Sequence, residues 1–82
     1  MVRLKLSTGT EIDANWINEL TGGGVMVEMN DTITVAEAAA MFEGVAKIAT
    51  VEKPERVFEG YNDIETIAHR GGVLHVILRK EG

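Results

Sequence analysis

Apolar and polar residues alternate with a period of two over much of the chain. Val2, Leu4 and Leu6 alternate with Arg3 and Lys5, and after Ser7-Thr8-Gly9 the alternation resumes with Ile12, Ala14 and Trp16. That period is the mark of a half-buried strand, so the segment predicts a hairpin. A two-residue Thr8-Gly9 loop would set Leu6 against Glu11 and spoil the apolar face. A three-residue loop, Ser7 to Gly9, instead pairs Leu6 with Thr10, Leu4 with Ile12 and Val2 with Ala14. It also sets Lys5 against Glu11 and Arg3 against Asp13 on the other face, and opposite charges facing across a strand pair add a small stabilising term. Gly9 can supply the left-handed residue that closes such a loop.

Thr21-Gly22-Gly23-Gly24 marks the next turn, a flexible tip by its glycine content. Val25, Val27 and Met29 follow as a third strand, with Met26 and Glu28 on its other face. Between Trp16 and Leu20 the alternation slips by one at Ile17, as a bulge near Asn15 to Asn18 would make it. Asn30-Asp31 ends the strand. Thr34-Val35-Ala36-Glu37 has the form of a capping box, in which the threonine hydroxyl and the glutamate carboxylate satisfy each other's backbone donors. The alanine-rich run after it predicts a helix over 35–43, with Val35, Ala38 or Ala39, Phe42 and Val45 on one stripe and Gly44 as the stop.

Lys47 to Glu52 is β-like, Lys53-Pro54-Glu55 turns the chain, and Arg56 to Tyr61 predicts a short strand interrupted at Gly60. Residues 62–69 and Val73 to Leu78 flank Arg70-Gly71-Gly72. With all three as loop, Ala68 faces Leu74, Thr66 faces Val76 and Ile64 faces Leu78, an almost wholly apolar face. A Gly71-Gly72 loop would instead set His69 against Leu74 and Glu65 against Leu78, so the three-residue loop is preferred. A helix over 62–69 is the rival, since Ile64, Ile67 and Ala68 also fit helical spacing. The order read is β-β-β-α-β-β-β. It predicts a small α+β domain, 1–82, with a mostly antiparallel sheet, twisted or partly rolled, and one helix packed on it.

Composition narrows the class. The chain has 82 residues, enough for one core, with 45% apolar and 26% charged residues, which is ordinary globular composition. No apolar run approaches the roughly 18 residues of a membrane helix, and no signal-peptide core follows Arg3 and Lys5. Absent cysteine excludes disulfides, thiol catalysis and cysteine-ligated zinc, and fits a cytoplasmic protein. The net charge is −5, and residues 11–46 hold seven acids (Glu11, Asp13, Glu19, Glu28, Asp31, Glu37, Glu43) with no Lys or Arg. Such a stretch does not track phosphates, so no nucleic-acid partner is expected. It serves solubility, or it offers an acidic face to a basic partner.

Candidate chemistry is sparse. Gly22-Gly23-Gly24 is followed by no Lys-Ser/Thr and no helix start, so it is no phosphate loop. His69, His75 and Glu65 share the less apolar face of the last hairpin in the favoured register, with too few converging ligands for a metal centre. Asp63 and Glu65 share a strand face beside His69, without the cleft that acid–base work needs. Ser7, the one serine, has no triad partner. Trp16 and Phe42 read as core; Phe58 and Tyr61 read as core or contact residues. No catalytic, cofactor or metal residue is assigned, and the chain is read as no enzyme.

The sharper feature is the second face of that hairpin, where Ile67, Val73 and Ile77 lie beside His69 and His75. One helix cannot cover both faces of a sheet, so a roll or a second chain must cover this one. We read Ile67, His69, Val73, His75 and Ile77 as an interface, for a homo-oligomer first and another protein second. Met26 and Met41 can add adaptable contacts.

Phe58-Glu59-Gly60-Tyr61, then Ile64, Ile67 and the closing Val73-Leu74-His75-Val76-Ile77-Leu78-Arg79-Lys80, together with a Leu-x-Leu-x-x-Gly-Thr hairpin at Leu4 to Thr10, resemble short uncharacterised proteins of bacterial genomes and their prophages. The resemblance spans most of the chain and carries no catalytic residue. It implies a small α+β protein of the kind a mobile element encodes, with a virion or tail accessory role, cytoplasmic or virion-associated. The functional expectation is a non-enzymatic assembly module that self-associates. The alternative is a small acidic regulator bound to a basic surface.

Overall fold

A computed structural model describes residues 2–30 and 32–80. Asp31, one of the acids counted above, lies outside them. The order is β1 (Val2–Leu6), β2 (Glu11–Ala14), β3 (Trp16–Leu20), β4 (Gly24–Asn30), α1 (Val35–Phe42), β5 (Lys47–Thr50), β6 (Val57–Glu59), β7 (Asp63–Arg70) and β8 (Val73–Arg79). The strands form two antiparallel four-stranded sheets, β2-β1-β5-β6 and β3-β4-β8-β7, here sheets A and B. The fold is α+β as expected, but four strands rather than three stand on each side of the helix, in two sheets rather than one.

The expected second strand divides at Asn15. Its N–H donates to the Glu28 carbonyl at 2.7 Å, so from there the chain pairs with β4 rather than β1. Ile12 and Ala14 point inward before this corner and Ile17 after it, which leaves Trp16 outside. The slip at Ile17 is therefore a change of sheet, and Trp16 is 55% exposed, not core. The first hairpin has the expected register. Val2, Arg3, Leu4 and Lys5 face Ala14, Asp13, Ile12 and Glu11, Gly9 has φ +89°, and Arg3 Nε reaches Asp13 at 3.3 Å.

Both inner faces feed one core. Leu4, Leu6, Ile12, Ile48 and Phe58 come from sheet A, and Val25, Val27, Met29, Leu74, Val76 and Leu78 from sheet B. Helix α1 packs against β7 and adds Ala38 and Phe42, with Val45 beyond its end; Val35, expected on that stripe, is exposed. Its capping box forms as expected: Thr34 Oγ1 accepts from Glu37 N at 3.1 Å, and Glu37 Oε1 accepts from Thr34 N at 3.3 Å. Thr50 is the buried polar residue among the described ones, and its hydroxyl accepts from Arg56 N at 2.7 Å across the turn that follows β5. Phe58 is core, and half-buried Tyr61 meets its ring edge-on at 6.1 Å. No described helix is long and apolar enough to cross a membrane.

Residues 63–70 are strand, not helix, but the last hairpin differs from the preferred register. Arg70, His69, Ala68, Ile67 and Thr66 face Val73, Leu74, His75, Val76 and Ile77, so the loop is Gly71-Gly72 alone. Both glycines have positive φ, +58° and +81°, which a two-residue type I′ turn requires and which glycine adopts without a side-chain clash. The pairing then skips one residue at Glu65, and Ile64 returns to face Leu78 over the core. A bulge thus repairs the fault that disfavours the short loop, since it ejects the charged residue and keeps the isoleucine inside.

Candidate interaction face

The new register sorts the last hairpin differently. Val73, His75 and Ile77 alternate with buried Leu74, Val76 and Leu78 and so lie on the outer face of sheet B. Ile67 and His69 face Val76 and Leu74, which puts them on the other side of β7. Ile67 packs against the core, and His69 is exposed near the strand end. Of the five residues read as an interface, three therefore share the outer face and two do not. The two histidines lie on opposite sides of the hairpin. Asp63 and Glu65 both flank Arg79, Asp63 as its register partner and Glu65 as its ion pair at 3.0 Å, apart from His69. No group of three or more His, Asp or Glu converges as a metal site would need, among the described residues.

The outer face of sheet B can be laid out strand by strand, because register partners share a face. One row across it is Trp16, Glu28, His75, Ala68, and the next is Asn18, Met26, Ile77, Thr66. In the first row the Trp16 indole N–H donates to the Glu28 carboxylate, whose Oε2 lies 3.9 Å from His75 Nε2. The Glu28 and His75 side chains are 17% and 21% exposed, so this polar link sits low in the surface. Beside it a shallow depression of about 300 Å³ is lined by Met26, Thr66, Ala68, Arg70, His75 and Ile77. A protruding indole stands over one half of the face, and an apolar hollow lies in the other. No described element of the chain crosses either, since α1 packs on the core side.

Sheet A turns a different face to solvent. Arg3, Lys5, Glu11, Asp13, Lys47 and Glu59 dominate it, with ion pairs at Arg3–Asp13 and Lys47–Glu59, and Ala49 and exposed Val57 lie among them. Mixed charges of that density resist desolvation. The described acids of residues 11–46 are dispersed: Glu11 and Asp13 on sheet A, Glu19 at 3.7 Å from Arg56, Glu28 on sheet B, Glu37 in the helix cap and Glu43 past the helix.

Sequence reasoning misses Trp16 and Glu28 as members of the face. The phase slip at Ile17 is the signal for Trp16, because an inward Ile17 forces its neighbour outward. The alternation of Val25, Val27 and Met29 already places Met26 and Glu28 on the far side. No protein-family model matches the chain, and no curated protein or solved structure matches it.

Proposed function

We propose that the chain is a non-enzymatic assembly module that self-associates through the outer face of sheet B. One observation carries the reading: Trp16, Met26, Val73 and Ile77 are spread over three of the four strands, β3, β4 and β8, of a sheet face that no described part of the chain covers. Apolar side chains gathered on an otherwise polar surface mark contact sites, and tryptophan is enriched among residues that dominate such contacts. A virion or tail accessory role, as the resemblance implies, would draw on such a surface. An acidic docking face gains nothing from carboxylates spread over several surfaces, most of them close to a cation or a cap.

The test is absolute mass by light scattering from micromolar to millimolar protein, for the wild type and Val73→Asp. The wild type should exceed the 8.9 kDa monomer, and the variant should stay monomeric with an unchanged circular dichroism spectrum. A monomeric wild type, or a variant with wild-type mass, refutes the proposal.

A further inference from the structure

The outer face of sheet B is complementary to itself. Strands lie about 4.8 Å apart, so β3 and β7, the two edges, stand about 14 Å apart. A two-fold axis parallel to the strands, running between β4 and β8 just above the face, lays β3 of one copy over β7 of the other and β4 over β8. Under that rotation the row Trp16, Glu28, His75, Ala68 meets its own reverse. Each Glu28 carboxylate then faces an imidazole of the other copy, each Met26 faces an Ile77, and each Trp16 faces the hollow beside Ala68.

We infer that the partner on this face is a second copy of the chain, docked sheet on sheet about this axis, with Trp16 of each copy seated in the β7–β8 hollow of the other. Isologous contacts require features to meet their complements through the axis, and the two central rows of this face do so in polarity, apolarity and shape. Strands of the two copies run nearly aligned, the usual geometry of stacked sheets. The Trp16–Glu28 hydrogen bond tilts the indole from the sheet edge toward the axis, over the place where the hollow of the other copy falls. The inference rests on the proposed self-association and adds which residues meet.

The arrangement is tested by complementation and by cross-linking in this cysteine-free chain. Trp16→Ala should weaken dimerisation about 30-fold or more, the scale of an aromatic hot spot. Ala68→Trp should do the same by filling the hollow. An equal mixture of the two variants should form a heterodimer, since the indole introduced in one copy then faces the side chain truncated in the other. Asn18→Cys mixed with Thr66→Cys should be joined by a short bis-maleimide, which alkylates one thiol at each end, and neither variant alone should be, because like positions sit at opposite edges. A wild-type dimer lost in Val73→Asp but kept in Trp16→Ala and Ala68→Trp overturns the two-fold arrangement and leaves the face intact. Cross-linking of Asn18→Cys or Thr66→Cys alone, or no heterodimer from two monomeric variants, also overturns it. A monomeric wild type removes both proposals.

Discussion

Val76 and Ile77 are neighbours on β8 with opposite fates, and replacing each with aspartate separates core from interface. Val76 is fully buried between the sheets, facing Val27 and Ile67. Aspartate there forfeits about 1.5–3 kcal/mol of apolar burial. It must also hold a carboxyl away from water, where a pKa raised by about 3 units or more keeps it protonated at a cost of about 4 kcal/mol at neutral pH. Together these reach roughly 5–7 kcal/mol, against a total of about 4–12 kcal/mol for a domain of 82 residues. Val76→Asp should therefore be largely unfolded in water at room temperature. Ile77 is half-buried on the outer face between Met26 and Thr66, and its replacement stays hydrated. Ile77→Asp should cost about 1 kcal/mol of monomer stability, yet abolish self-association. Urea unfolding followed by far-ultraviolet circular dichroism at low protein concentration gives the first quantity, and light scattering the second. If Ile77→Asp unfolds the chain as Val76→Asp does, the faces assigned to β8 are wrong. If it folds and keeps the wild-type mass, the interface is wrong.

Two further outcomes concern the scaffold. Thr50→Val keeps the side-chain shape but leaves Arg56 N without its hydroxyl acceptor, so urea unfolding should show a loss of about 1–3 kcal/mol; an unchanged midpoint would place that donor in water. Thr34→Ala removes one half of the capping box and should lower the unfolding free energy by about 1 kcal/mol with the oligomer mass unaltered. A change in mass there would mean that α1, not sheet B, faces the partner.

Local physics makes several parts readable from residues alone. The first hairpin has charges on one face and apolar residues on the other, so a shift of one residue would mix them, and the structure has the register this predicts. The Thr34–Glu37 cap and the alanines after it need only neighbours three or four residues away, which is why the helix appears where expected. The glycine pair of the last turn is also readable, because two consecutive residues with positive φ make a two-residue turn on their own. Keeping Glu65 away from Leu78 argues the other way and prevails while only the sequence is in view. A bulge, which removes one residue from the count, meets both demands.

What the chain determined by itself was the extended character of most segments and the one helix, the polarity of the faces of β1, β2, β4 and β8, and the first hairpin's register, because each follows from side-chain period, turn chemistry and caps within a few residues. Tertiary structure decided how those faces are used. At Asn15 the alternation cannot reveal that the chain leaves β1 for β4, since the sheet a strand joins depends on partners far along the chain. The bulge at Glu65 is set by Leu78 across the ladder rather than by its own neighbours. Those two long-range choices turned Trp16 outward, drew Ile67 and His69 away from Val73, His75 and Ile77, and brought Trp16, Glu28 and His75 from three strands onto one exposed row.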